Sequence, residues 1–160
     1  MSSEGDVGDG DFYTRMPQVQ SDIANQAPRF TLMVGHLTYA NANGRASVDQ
    51  HFNDVMVWSQ DAAYMPAWGN HEWETSATDD LRNYKGRLDL PNPRTSPDAP
   101  AVSCCGEDWY WFDYGNVRFI SYPEPWSDLN WSEWTPHADT LMSQAQSDTA
   151  ISFVVTFGHW

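Results

Sequence analysis

The sequence predicts an α/β fold, and two observations carry this prediction. Helix-like and strand-like segments alternate through the first half of the chain, which is typical of a sheet whose strands are joined by crossover helices. In addition, three short apolar segments end in a glycine that is followed by a polar residue, at Gly35-His36, Gly69-Asn70-His71 and Gly158-His159. Side chains at the carboxyl ends of strands in such a sheet meet at one crevice, so we expect these three positions to converge.

The first four elements are predicted from hydrophobic periodicity. Val19, Ile23 and Ala27 recur every four residues, which indicates an amphipathic helix that ends at Pro28. Residues 30–36 (FTLMVGH) form a short apolar run that predicts a buried strand. A second helix is predicted over residues 48–65 and a second strand over residues 65–70. The buried face of this helix is expected to consist of Phe52, Val55, Met56 and Ser59. His51, in the same helix, is expected on the surface.

The second half of the chain begins with a long surface excursion over residues 74–106, which is rich in Pro, Ser, Asp and Asn and lacks periodicity. Two aromatic-rich runs then flank Gly115-Asn116, which predicts a β-hairpin. The aromatic residues of 109–134 are either a cross-strand cluster or a surface that stacks on sugars or bases. A third helix over residues 136–148, with His137 on its surface, and a last strand over 151–160 complete a single predicted domain, residues 1–160.

The composition excludes several classes of partner. The chain has 160 residues with 22 Asp and Glu against 8 Lys and Arg, so its formal net charge is -14. Nucleic acids and anionic membranes attract Lys and Arg, so we expect neither as a partner, and a phosphorylated substrate would need metal cations beside it. No apolar run approaches the ~20 residues that span a bilayer. The adjacent Cys104 and Cys105 form either a strained vicinal pair or two ordinary thiols.

Four short motifs of this sequence occur in the same order as the motifs of a known family. They are Gly5-Asp6-Val7-Gly8, Gly35-His36-Leu37-Thr38-Tyr39, Gly69-Asn70-His71-Glu72 and Val155-Thr156-Phe157-Gly158-His159. In order and rough spacing they resemble the motifs of the calcineurin-like metallophosphoesterases, most closely those of the purple acid phosphatase branch. The hairpin segment FDYGNVRFI is also similar to one in that family, so the resemblance covers nearly the whole chain.

The resemblance implies a metallophosphoesterase-like sandwich whose two-metal site hydrolyses small phosphate esters. By this resemblance the metal ligands are Asp6 and Tyr39 for the first ion and Asn70 and His159 for the second. His71 is then the catalytic proton donor or phosphate contact beside the metals, and Glu72 supports it. The ions are divalent or trivalent, with Fe, Zn or Mn expected. The family is secreted. The polar N-terminus of this chain is unlike a signal peptide, but a mature secreted protein whose leader has been removed would have the same kind of N-terminus.

The chain departs from the family pattern at three places. His36 stands where the family has the Asp that bridges both metals, and a neutral imidazole offers one nitrogen to one metal and no charge. The Gly-His-x-His motif with which the family pattern ends is not found in residues 1–160. At the other end, the polar residues MSSE occupy the place where the family pattern has an apolar first strand. We therefore expect about the N-terminal half of the sandwich, lacking the first strand and the C-terminal sheet. An exposed sheet edge would remain, so the protein is either a homo-oligomer or a fragment.

Each candidate residue also has a structural interpretation. His36 is either a terminal metal ligand or a loop histidine held by hydrogen bonds, and Tyr39 is either a phenolate ligand or a packing aromatic. Asp6 is either a ligand or a turn residue, and His159 is either a ligand or part of a frayed end.

Three functions are compatible with these alternatives. The first is a weakened or mononuclear metal-dependent phosphoesterase, in which His36 joins as a terminal ligand. The second is a non-catalytic relative that acts as an oligomerisation or protein-binding module. The third uses His36, His71 and His159 to hold Zn, Cu or Fe for another hydrolysis or for redox chemistry.

Overall fold

The structure of the chain is a computed structural model. It describes residues 1–5, 7, 16–39, 45–73, 84, 86–95, 107–123 and 128–159. Within these residues the chain forms a mixed α/β structure of two small sheets and four helices. The helices within these residues are α1 (Met16–Asn25), α2 (Arg45–Ser59), α3 (Asn70–Trp73) and α4 (Asp128–Ser147). The strands are β1 (Ser2–Glu4), β2 (Phe30–Val34), β3 (Ala63–Ala67), β4 (Trp111–Tyr114), β5 (Val117–Ser121) and β6 (Phe153–Phe157). The predicted α/β class is confirmed.

The first sheet is parallel and has the order β1, β2, β3. The helices α1 and α2 are the crossovers between its strands, as the alternation in the sequence predicts. The expectation that the chain lacks the first strand is wrong, because residues 2–4 pair with β2 along their whole length. Their polar composition concealed the strand: the Glu4 carboxylate accepts hydrogen bonds at 2.9 and 3.1 Å from the Gln20 side-chain amide, so a polar strand can lie beside α1.

The second sheet has the order β4, β5, β6, with β4 antiparallel and β6 parallel to β5. The hairpin predicted at Gly115 joins β4 to β5, and the glycine has the positive φ (60°) that such a turn needs. Phe30 of β2 packs edge-on against Phe112 and Phe119 of this sheet, with ring centroids 5.4 and 5.2 Å apart. The predicted hairpin and the predicted last strand thus form a second sheet that packs on the first.

The buried face of α1 differs from the predicted one. Met16, Gln20 and Ile23 are buried, at i, i+4 and i+7, whereas Val19 is 39% exposed. Ala27 lies beyond the end of the helix and has a left-handed φ of 44°. The hydrophobic periodicity predicted a different face because the buried residue Gln20 is polar and is therefore not counted among the apolar positions of the helix.

The buried face of α2 also contains a polar residue that the hydrophobic pattern did not include. Its buried residues are Val48, His51, Val55 and Trp58, while Met56 is 54% exposed. The expectation that His51 lies on the surface is wrong, since its side chain is 2% exposed and its Nε2 atom lies 2.7 Å from the Tyr64 hydroxyl. An imidazole with such a hydrogen-bond partner can be buried at moderate cost.

The helix α4 begins at Asp128, well before the predicted start at Pro136. The Trp134 ring is buried against the second sheet and its Nε1–H donates to the Ser121 carbonyl at 2.7 Å, so packing holds the turns that precede the proline. None of the described helices has the length and apolarity needed to cross a membrane. Most of the predicted excursion at 74–106 lies outside the described residues, as do Cys104 and Cys105; within its described part, Tyr84 and Leu90 are buried.

The buried imidazole of His51 makes stability depend on pH. Burial lowers the pKa of His51 from 6.5 to about 4. Between these values the unfolded chain binds a proton at this imidazole and the folded chain does not, so folding loses free energy as the pH falls. We expect this group to remove about 3 kcal/mol from the free energy of unfolding between pH 7 and pH 4.

Urea unfolding of the wild-type protein and of His51→Gln across this pH range measures the effect, because glutamine can still bond to Tyr64 but does not titrate. The stability difference between the two proteins should change by about that amount. His137→Gln is the control; its half-exposed imidazole should give a smaller change. Parallel pH profiles for wild type and His51→Gln would contradict the assignment.

Candidate functional site

The loops that follow three strands bring four polar side chains together. His36 follows β2, Asn70 and His71 follow β3, and His159 follows β6. The Nε2 atom of His36 lies 2.7 Å from the Oδ1 atom of Asn70. The His36 ring centroid lies 4.0 Å from that of His159 and 4.7 Å from that of His71. The convergence expected at the carboxyl ends of these strands is therefore present.

Tyr39 joins the same group. Its hydroxyl lies 3.2 Å from Nδ1 of His36, and its ring centroid lies 4.2 Å from that of His71. A neutral His36 that donates from Nε2 to the Asn70 carbonyl has its Nδ1 lone pair available to accept the Tyr39 proton. Both ring nitrogens of His36 are thus engaged by neighbouring side chains.

The backbone before this cluster has an unusual conformation. Gly35 and His36 both have positive φ, at 71° and 46°. A side chain at Gly35 would collide with His159, because its Cβ atom would lie 2.3 Å from the His159 Cβ. Non-glycine residues with positive φ are strained and are concentrated at functional sites. The turn at 35–36 therefore serves to bring the His36 ring against His159.

His159 is held in place by the first sheet. Its Nδ1 atom lies 3.1 Å from the Val34 carbonyl oxygen, which fixes the Nδ1–H tautomer. Its ring also lies close over Gly69, where a Cβ atom would approach the His159 Cδ2 to 2.9 Å. The interpretation of His159 as a frayed end is therefore not supported, although it is the last described residue.

Glu72 lies beneath the cluster and connects two of its loops. It is fully buried, and its carboxylate accepts hydrogen bonds from the backbone N–H groups of Gly69 and Leu37, both at 2.9 Å, and of Thr38 at 3.4 Å. Burial raises the pKa of Glu72 to about 7, and these N–H donors together with nearby His36 oppose the rise. Glu72 therefore connects the segments that follow β2 and β3, and both of its oxygens accept hydrogen bonds from backbone N–H groups.

Two further residues support the site and were not identified from the sequence. The Tyr84 hydroxyl forms a hydrogen bond with the Thr38 hydroxyl, next to Tyr39. The Trp68 indole N–H donates to the Glu107 carbonyl at 2.7 Å, just before Gly69. An isolated aromatic residue in a polar segment was the available signal for Tyr84. Its partner could not be inferred, because the two residues lie 46 positions apart.

The donor atoms of the cluster can be compared with what a metal ion requires. Asp6 lies outside the described residues, and within the described part of the chain no three His, Cys, Asp or Glu side chains are grouped to hold a metal. The described donors are neutral imidazole, amide and phenol groups, of which imidazole suits Zn, Fe or Cu. Two ligands of one tetrahedral ion lie about 3.3 Å apart, so the 2.7 Å contact between His36 and Asn70 must open slightly. None of these described donors is a carboxylate, the group that can offer one oxygen to each of two ions.

Comparison with known proteins gives a structural match and no sequence match. No protein-family profile matches the sequence, and no curated protein matches it. Among solved structures, the chain is similar to a purple acid phosphatase isolated from seeds of yellow lupin (Lupinus luteus), with a TM-score of 0.62 and 18% sequence identity. The similarity covers 98% of this chain and 29% of the phosphatase chain. At this identity the match shows the fold: the chain folds like part of a metallophosphoesterase.

The role of Glu72 can be tested by removing its charge while its shape is kept. In Glu72→Gln, an amide NH₂ group replaces one acceptor oxygen and faces backbone N–H donors that are buried. We expect the free energy of unfolding to fall by about 1 to 2 kcal/mol, because buried donors lose their acceptor while the removal of a buried charge offsets part of that loss. Urea unfolding at pH 8, where the wild-type carboxylate is mostly ionised, measures the loss. Glu133→Gln, on an exposed position of α4, is the control, and equal stabilities of the two variants would disprove the role.

Proposed function

We propose that this chain is a metal-dependent phosphoric ester hydrolase that acts on small phosphomonoesters or phosphodiesters through a single metal ion. The convergence of His36, Asn70, His71 and His159 from three strand ends is the observation that carries the proposal. The fold similarity to a purple acid phosphatase supports the same class of chemistry. The net charge of -14 is consistent with a need for a cation beside an anionic substrate.

Some residues of the cluster would bind the metal ion and another would donate a proton. His36, Asn70 and His159 would hold the ion, with Tyr39 as a phenol ligand and Asp6 as a carboxylate ligand; Fe, Zn and Mn are the candidate metals. When bound, such an ion polarises the phosphoryl group and lowers the pKa of water. His71 lies against Tyr39 and near His36, where its imidazole can hold a proton and donate it to the leaving oxygen. Glu72 keeps the two loops at this spacing.

A second candidate function is a non-catalytic module that binds another protein or a second copy of itself. The hydrogen bonds of His36 to Asn70 and Tyr39 favour it, because they satisfy both ring nitrogens without a cation. A metal ion must displace at least one of these bonds. The balance between the two functions therefore depends on whether metal binding outweighs that loss.

Metal content and turnover together test the enzyme. We expect freshly purified protein to contain close to one metal ion per chain and to hydrolyse p-nitrophenyl phosphate or its bis ester. A chelator should abolish turnover, and added Zn, Mn or Fe should restore it. Elemental analysis and a nitrophenol assay before and after chelation measure both quantities. Protein that stays inactive after metal is added back would favour the non-catalytic module.

The role of His71 as proton donor predicts a specific loss. We expect His71→Ala to lower kcat by about 10²-fold or more while the metal content stays near that of the wild type, since general acid catalysis supplies that factor. His137→Ala removes a histidine from α4, outside the cluster, and is the matched control. A variant His71→Ala with wild-type kcat would exclude this role.

His36→Asp tests whether the imidazole limits the site to one ion. A carboxylate can offer one oxygen to each of two metals and adds the negative charge that two cations need. We expect the metal content to rise above one ion per chain and the turnover to increase. Under the alternative function the same variant would show neither change. The readouts are elemental analysis after dialysis against metal and the nitrophenol assay.

A further inference from the structure

Tyr84 contacts both of the segments that carry the candidate site. Its side chain is fully buried, and its hydroxyl forms a hydrogen bond with the hydroxyl of Thr38, which is also fully buried. Its ring packs on Trp68, with the ring centroids 6.1 Å apart. Thr38 belongs to the segment after β2, and Trp68 follows β3 and precedes Gly69. One side chain from a distant part of the chain therefore joins the two segments.

Thr38 is held at two points, and the tighter one is its side chain. Its backbone N–H donates to the Glu72 carboxylate at 3.4 Å, which is long for a hydrogen bond and leaves room for the residue to shift. The bond between the hydroxyls of Thr38 and Tyr84 restricts that movement. Tyr39 is the next residue, and its hydroxyl lies 3.2 Å from Nδ1 of His36. The place from which the Tyr39 side chain starts is therefore set by Thr38.

The backbone before Thr38 needs such support. Gly35 and His36 have positive φ values of 71° and 46°. A non-glycine residue in this conformation is strained, and it keeps the conformation only where surrounding contacts enforce it. Thr38 lies two residues further along, so its bond to Tyr84 is one of the contacts that hold the turn.

The core contains a second tyrosine that provides a comparison. Tyr110 is 1% exposed, and its hydroxyl has no hydrogen-bond partner among the described residues. Tyr84 and Tyr110 are thus equally buried and differ in whether the hydroxyl is bonded. The burial of a tyrosine in this core does not by itself require the bond that Tyr84 makes.

From these contacts we propose that Tyr84 is a positioning residue for Tyr39. By its hydrogen bond to Thr38 it keeps the Tyr39 hydroxyl against His36, and it acts through Thr38 rather than as a catalytic residue. The effect of Tyr84 on turnover rests on the function proposed above. Its effect on the contact between Tyr39 and His36 does not, so the two can be tested separately.

The contact between Tyr39 and His36 can be followed in metal-free protein by the ¹⁵N NMR signals of the His36 imidazole, assigned with His36→Gln. Tyr39→Phe removes the hydroxyl and gives the Nδ1 signal for complete loss of the contact. Tyr84→Phe keeps the ring and should move the Nδ1 signal most of the way to that position. Tyr110→Phe is the matched control and should leave the signal unchanged. An unchanged signal in Tyr84→Phe, or an equal shift in Tyr110→Phe, overturns the proposal.

A double-mutant cycle separates positioning from stability. Tyr84→Phe leaves the buried Thr38 hydroxyl without this partner and should destabilise the protein, whereas the double variant with Thr38→Val removes both hydroxyls and should recover most of that stability. The Nδ1 signal of the double variant should nevertheless stay displaced, because the bond is still absent. Thr38→Ser keeps the hydroxyl and should retain the wild-type signal. A signal that returns to the wild-type position in the double variant would show a role in stability only.

Turnover tests the consequence for catalysis. If the wild-type protein hydrolyses p-nitrophenyl phosphate, Tyr84→Phe should lower kcat by between about 10-fold and 10²-fold, since small displacements of site groups have effects of this size. Tyr110→Phe should keep the wild-type kcat. A wild-type kcat in Tyr84→Phe would overturn the catalytic part of the proposal. Inactive wild-type protein would count against the proposed function, and the NMR result then decides the role of Tyr84.

Discussion

The candidate site depends on one buried carboxylate, that of Glu72. Burying a carboxylate is unfavourable unless hydrogen bonds compensate for the lost water, and here the donors are backbone N–H groups of two different loops. These loops are neighbours because β2 and β3 are adjacent parallel strands, whose carboxyl ends lie side by side. By holding Leu37 and Gly69 to the same group, Glu72 fixes the distance between His36 and Asn70, which flank those residues in sequence. The spacing of the site is thus a consequence of strand order together with one side chain.

The part of this arrangement that depends on strand order could be predicted from the sequence. Apolar runs that end in glycine mark strand ends, and parallel strands place those ends at one edge, so the convergence of His36, Asn70 and His159 followed. The polar contacts between distant residues could not be predicted in this way. Gln20 and His51 are buried because Glu4 and Tyr64 bond to them, and hydrophobic periodicity carries no information on such partners. For the same reason β1 was missed, since its burial beside α1 rests on a hydrogen bond and not on apolar side chains.

The chemistry of the described donors determines what the cluster needs in order to form. Several carboxylates placed together repel one another and need cations to stay close. The described donors of this cluster are imidazole, amide and phenol groups, and His36 lies within hydrogen-bonding distance of both Asn70 and Tyr39, so these contacts form without a cation. A metal ion would gain less here than in a carboxylate site, because it must replace hydrogen bonds that already exist and because it meets less negative charge. A cluster of this composition would therefore hold a cation less tightly than a carboxylate site, through two separate effects.

The strand β6 connects the site to the surface of the molecule. Its first residues are exposed and contribute little apolar burial, whereas its carboxyl end leads to His159, which is held by the Val34 carbonyl and packs on His36. The position of His159 therefore depends on a strand that is paired along one edge among the described residues. A ligand held by His159 would stabilise the same strand. Two events that favour the same ordered state assist each other by linkage, even when they share no contact. The ordering of β6 and the binding of such a ligand would therefore be coupled, with the coupling limited to the free energy by which that strand is ordered.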